Sequence, residues 1–125
     1  MSDTHLLTVR VWYEDTDLSG LVYHANYLKF AERARSDWVR ARGIDQGATR
    51  ARGEVFVVTR IEADYLGSAR LDDLLEVSCA VAGRRGARLE LAQEVRREGT
   101  VLFRARVTVV RLGPGGRPMR LPEGL

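Results

Sequence analysis

Within YEDTDLSGLVYHANYLKFAERAR, residues 13–35, the spacing of apolar side chains changes partway along. Upstream, residues 8–13 (TVRVWY) alternate in the manner of a β-strand, and the polar, glycine-containing stretch 14–24 breaks that alternation. From Asn26 onward, Tyr27, Phe30, Ala31, Ala34, Trp38 and Ala41 recur three and four residues apart, with Lys29, Arg33, Asp37 and Arg40 at other positions. Such spacing predicts an amphipathic helix of about four turns with one apolar stripe. Asn26 has the side chain of a helix cap, which puts the first helical residue at Tyr27, and Gly43 supplies a stop.

After a polar connector, 43–53, the period falls to two. Four strand-like segments follow: EVFVVTRIEADY (54–65), LLEVSCAVAG (74–83), ARLELAQEV (87–95) and TVLFRARVTVVRL (100–112). Leu89, Leu91, Gln93 and Val95 share one face of the third, and Phe103, Ala105, Val107 and Val109 oppose Arg104 and Arg106 in the fourth. The turns GRRGAR and REGT join the last three segments into an antiparallel meander. The glycine- and proline-rich tail, 113–125, reads as irregular and at the surface, and His5 as part of a frayed terminus.

A strand, one long helix and four further strands predict a two-layer α+β domain over residues 1–125, the helix covering one face of a five-stranded antiparallel sheet. One helix does not hide the apolar face of five strands, so self-association is expected, by edge pairing of sheets or by helix packing.

The 125 residues carry a net charge of +3, and Lys29 is the sole lysine among many arginines. No interleaving of basic and aromatic residues points to nucleic acid, and no apolar run approaches the roughly 18 needed to span a bilayer. The N-terminus lacks the flank and apolar stretch of a signal peptide, and Cys79 is the single cysteine, so a cytoplasmic protein without a disulfide framework is expected.

Asp15, Asp17, Ser19 and Gly20 match the first half of a calcium loop, but the twelfth position is Asn26 where a bidentate glutamate is required. A transition metal would want more nitrogen or sulfur donors than His24 alone, and Ser19 lacks the glycine elbow of a triad nucleophile. Two readings stay open: a capping and turn segment, or a carboxylate placed just upstream of a helix N-terminus whose free N–H groups suit a developing oxyanion.

The same residues resemble the signature of the 4-hydroxybenzoyl-CoA thioesterase family, specifically its Tol-Pal-associated acyl-CoA thioesterase branch. The similarity continues through FVVTRIEADYLGSARLDDLLEV, RRGARLELAQEV and VTVV. The resemblance implies the hotdog fold, hydrolysis of acyl-CoA thioesters without metal or cofactor, coenzyme A being part of the substrate, and a homodimer or dimer-of-dimers tetramer with sites at subunit interfaces. Carried over by position, Asp17 is the catalytic carboxylate, as nucleophile or as base for a water. His24 stands where a backbone N–H polarises the thioester carbonyl. Asp15 is assigned to loop structure, Tyr23 and Asn26 line the site or fix the loop, and Tyr13 and Glu32 are structural, Glu32 close to Arg35. Arg85 matches an arginine of the family pattern. Arg60, Arg84 and Arg88 join it as candidates for the coenzyme A phosphates on chemical grounds. The competing functions are a hotdog hydratase or dehydratase and a non-catalytic acyl-CoA-binding module.

Overall fold

The structure, a computed structural model, describes residues 4–125, so residues 1–3 of the expected domain lie outside it. In chain order the elements are β1 (His5–Arg10), α1 (Asn26–Ala41), α2 (Gln46–Ala51), β2 (Val55–Tyr65), β3 (Leu74–Arg85), β4 (Arg88–Arg97) and β5 (Thr100–Leu112). The strands form one antiparallel sheet in the order β1-β3-β4-β5-β2, with the meander at its centre and the two strands that flank α1 in sequence at its edges. Helix α1 lies against β1, β3 and β4. This is the hotdog arrangement.

Its core follows the two periods. Tyr27, Phe30, Ala31, Ala34 and Trp38 of α1 are buried against Leu75, Val77 and Cys79 of β3, Leu89, Leu91 and Val95 of β4, and Phe103, Ala105 and Val107 of β5. Burial pushes the Cys79 thiol up to about 12, which leaves it an inert apolar filler. On the opposite face, Arg104 lies between Asp64 and Glu94, and Arg106 opposes Glu62. These exposed pairs add little stability singly.

Besides Asp15 and Asn26, which are buried at the β1–α1 loop, a polar side chain sits at the helix–sheet contact. Gln93, on the inward face of β4, donates through Nε2 to the carbonyls of Ala31 at 2.8 Å and Ser78 at 3.2 Å, and its Oε1 accepts from Arg35 Nη1 at 3.0 Å. Helix and sheet are thus joined by hydrogen bonds where apolar packing alone would allow sliding. Gln93→Leu fills the same space but strips the half-buried Arg35 of its acceptor, and should cost about 2–4 kcal/mol. Urea unfolding measures this, and a change below about 1 kcal/mol would contradict it.

Four details depart from expectation. β1 begins at His5, well before residue 8, and His5 is far from frayed: its Nε2 lies 2.7 Å from Asp37 Oδ2 on α1. The polar connector contains α2, because the Asp45 carboxylate accepts from the N–H groups of Gly47 and Ala48 at 2.9 and 3.2 Å. Asn26 is the first residue of α1, with Ala25 at the cap position and no side-chain cap bond there. The tail is irregular but packed, with Met119 N–H on the Arg111 carbonyl, Leu121 N–H on the Gly86 carbonyl, and Leu125 buried.

β2 is an edge strand of 11 residues whose second edge has no strand partner among the described residues. On its inward face Val58 is 44% and Ile61 39% exposed, although both pair in register with buried valines of β5, Val109 and Val107. The edge is long, and although a bulge between Val58 and Arg60 interrupts it, its inward apolar side chains are of the kind proteins otherwise cover.

Candidate active site

The segment between β1 and α1 is a folded loop held from several sides. Val11 exchanges backbone hydrogen bonds with the 72–73 turn, Val22 N–H donates to the Ala69 carbonyl at 2.9 Å, and Leu21 bridges Arg70. Asp15 is the anchor of this loop. Its Oδ2 accepts from the Trp12 N–H at 2.8 Å, while its carbonyl accepts from the Tyr23 N–H at 2.9 Å and from Asn26 Nδ2 at 2.8 Å. Asn26 therefore ties the first turn of α1 back to Asp15, and, being buried, it does not line an accessible site. The two residues most like cap and ligand in the sequence together fix the loop.

Asp17 occupies a different position. Its N–H and carbonyl close a tight turn with Leu21 and Gly20, in which Gly20 adopts the left-handed φ of +81°. Its carboxylate is exposed, with Oδ1 held by the Ser19 hydroxyl and by the Ser19 N–H at 2.8 Å. Oδ2 has no hydrogen-bond partner among the described residues and is free to meet a substrate. The Ser19 hydroxyl is the main cause that lowers the Asp17 pKa below the ordinary 3.8, followed by the Ser19 N–H; slight burial opposes it, and the field of His24 adds a minor part.

The active form would be the carboxylate, present above this lowered pKa and lost as pH falls through it. Activity that depends on Asp17 should consequently hold down to acid pH. Ser19→Ala, which removes the largest lowering cause, should move the acid limb of kcat/KM upward toward the ordinary value while changing the rate at pH 7 by less than about threefold. A limb that stays in place would show that Ser19 does not tune Asp17.

His24 precedes α1 with its side chain exposed, its ring 4.6 Å from that of Tyr23 and 6.2 Å from that of Tyr65. Its carbonyl accepts from the Tyr65 hydroxyl at 2.9 Å. The N–H groups of His24 and Ala25 make no hydrogen bond among the described residues, so two donors stand open at the positive end of α1. Around them the loop leaves Leu18 and Tyr23 exposed, and the 65–74 segment leaves Tyr65, Leu66 and Leu71 exposed. Concentrated at one end of the molecule, these apolar side chains mark a surface meant to be covered.

The structure thus brings Asp17, Tyr23 and His24 to one end of the molecule, and adds Tyr65, which the local sequence did not single out. It is an ordinary strand tyrosine by pattern, and only the pairing of β2 with β5 carries it to the loop. The arginines are elsewhere. Arg84, Arg85 and Arg88 surround the β3–β4 turn, with Arg85 opposite Arg88. The Asp17 loop leaves β1 at Arg10, which pairs with Leu74 at the other end of β3. The full 12-residue length of β3 separates Leu74 from Arg85, about 35 Å at the usual rise. Arg60 sits in the middle of β2, 3.4 Å from Glu62. Within one protomer none of the four is a neighbour of Asp17. Tyr13 and Glu32 are also more exposed than a packing role requires: Tyr13 is 83% exposed, and Glu32 accepts from the Ser36 hydroxyl at the surface.

Among the described residues, no group of three histidine, cysteine, aspartate or glutamate side chains could hold a metal ion, and no helix is long and apolar enough to cross a membrane. A hotdog sheet with an exposed carboxylate on the loop that leads into α1, and two unpartnered N–H groups just ahead of that helix, has the parts an acyl-transfer enzyme would use. The chain belongs to the thioesterase superfamily, whose family model matches residues 19–104. It is 42% identical over 119 residues to the acyl-CoA thioester hydrolase YbgC of Escherichia coli O6:H1, covering 94% of this chain and 89% of that protein. A probable thioesterase from Bartonella henselae superposes with a TM-score of 0.91 at 33% identity, covering 95% of this chain and 99% of that one. A thioesterase from Thermus thermophilus, solved with coenzyme A and zinc, superposes with a TM-score of 0.83 at 30% identity, covering 96% of this chain and 86% of that one.

Proposed function

We propose that this protein hydrolyses acyl-CoA thioesters, releasing the free acid and coenzyme A, with Asp17 as the reacting carboxylate. The observation that carries this reading is the pairing of a carboxylate, one oxygen tethered and the other free, with two unoccupied N–H donors at the entrance to α1. With the thioester carbonyl oxygen on those donors, negative charge developing on it meets fixed dipoles rather than mobile water. Asp17 Oδ2 either attacks the carbonyl carbon, expelling the CoA thiolate and leaving an acyl–aspartyl anhydride for water to cleave, or takes a proton from an attacking water. A carboxylate with a lowered pKa stays ionised well into acid pH, so the charged form that either route needs is present at neutral pH. A thiolate is a good enough leaving group to need no strong acid beside it.

The acyl group would lie among the exposed apolar side chains around His24, which suits short- to medium-chain or aromatic acyl groups. The active assembly is a homodimer formed by antiparallel pairing of two β2 edges, or a tetramer of two such dimers. A two-fold axis through that pairing turns the second copy end for end, so its β3–β4 turn comes to the same end as the Asp17 loop of the first. Arg84, Arg85 and Arg88 would then serve the phosphates of a coenzyme A bound to the other protomer, resolving their distance from Asp17 within one chain.

The test is release of free thiol from a panel of acyl-CoAs of increasing chain length and of aryl-CoAs. Turnover on at least one class supports the reading. Tight binding with no thiol release from any member would favour a non-catalytic binding module. Loss of enone absorbance from an enoyl-CoA without thiol release would favour a hydratase.

A further inference from the structure

Tyr65 ends β2 and is 47% exposed, yet its ring is fixed on three sides. It packs edge-on against Phe103 at 5.1 Å and Tyr27 at 5.7 Å, both core residues, and lies 6.2 Å from the His24 ring. The hydroxyl donates to the His24 carbonyl at 2.9 Å, its one hydrogen bond among the described residues. A peptide unit is planar and trans, so its C=O and N–H point in opposite directions. Holding the His24 carbonyl toward Tyr65 therefore holds the Ala25 N–H facing away from it. The preceding unit is fixed in the same manner, because the Tyr23 carbonyl accepts from the Asn26 N–H at 2.8 Å, which sets the direction of the His24 N–H.

We infer that Tyr65 is a positioning residue for the thioesterase reaction: its hydroxyl locks the His24–Ala25 peptide so that the Ala25 N–H stays aimed at the substrate carbonyl. The inference rests on the thioesterase reading and adds to it a residue from the sheet edge. Without the hydroxyl the 24–25 peptide is free to tilt. The helix entrance would then still bind the substrate, but would meet the transition-state oxyanion with a less well-aimed donor. An interaction that strengthens in the transition state appears in kcat, whereas loss of general packing appears in stability and KM.

The experiment compares Tyr65→Phe, Tyr65→Leu and the unaltered protein on one acyl-CoA, with Asp17→Asn alongside. Tyr65→Phe keeps the ring against Phe103 and Tyr27. It should lower kcat about tenfold, with KM changed less than twofold and thermal midpoint and oligomer size unaltered, a smaller loss than removing an oxyanion donor outright. Tyr65→Leu should lose the same factor in kcat and some stability in addition. Equal kcat for Tyr65→Phe and the unaltered protein, or a loss carried entirely by KM, would overturn the positioning role while leaving the thioesterase reading intact. No thiol release by the unaltered protein from any acyl-CoA would overturn both.

Discussion

Asp17→Asn should abolish acyl-CoA hydrolysis, lowering kcat by a hundredfold or more, roughly the range expected for loss of a nucleophile or base. The amide is nearly isosteric, and its oxygen can still accept from the Ser19 N–H and hydroxyl, so the turn should survive. Because Asp17 is exposed and its backbone bonds to Leu21 and Gly20 involve no side-chain atom, the thermal midpoint and oligomer size should not change. What disappears is a charged oxygen able to attack or to take a proton. Two measurements decide: thiol release and a thermal melt, on the same preparation. Retained turnover would remove Asp17 from the chemistry and reopen the reading of the loop as purely structural. The same substitution at Asp15 should behave in the opposite sense. Asp15 is buried with its carboxylate on the Trp12 N–H, so its loss acts on stability first and on activity through the loop.

A charge on the open edge of β2 should have the next largest effect. Ile61 points inward, opposite buried Val107, on a strand with no second neighbour among the described residues. In an isolated protomer it is 39% exposed, so Ile61→Glu or Ile61→Lys should leave the fold standing with a loss on the order of 1 kcal/mol. In a dimer paired through β2 the same position becomes interior, where an unpaired charge costs several kcal/mol, enough to weaken association by roughly a hundredfold or more. Both variants should elute as protomers at micromolar concentration. Their activity should fall roughly tenfold or more, as a site open on one side and lacking the second copy's arginine turn binds substrate poorly. Using both signs of charge guards against an accidental ion pair with any single neighbouring side chain. Unchanged elution of both would show that β2 is not the edge through which copies meet.

The arginine assignments show how an argument from chemistry and a position in the chain can part. Arg84, Arg85 and Arg88 are suitable residues for phosphate, but suitability says nothing about distance. The antiparallel pairing of β1 with β3 sends them to the far end of the sheet from Asp17. In the proposed dimer it is the two-fold axis that would bring them back, and symmetry has no local signature in a chain.

The long helix and the meander were legible because burial imposes a repeat. Phe30, Ala31, Ala34 and Trp38 must share a face to be buried, as must Leu89, Leu91 and Val95, and those spacings are visible before any coordinate. Asp17 and His24 are assigned to the site through resemblance, since by pattern alone the two aspartates of EDTD are equivalent. Burial of Asp15 and exposure of Asp17 separate them. The role of Asn26 was misjudged as a cap because its partner, the Asp15 carbonyl, is set by how the loop folds back and not by the helix it begins. Tyr65 was invisible for a similar reason: its partner is 41 residues away. By itself, then, the sequence determined the long helix, the five strands and their apolar faces, though not the short α2 or where β1 begins, since periodicity is a local consequence of burial. Which carboxylate is presented, which side chain holds the helix entrance, and which strand edge is left unpaired were decided by tertiary structure, because each depends on contacts between segments whose spacing in the chain carries no repeat.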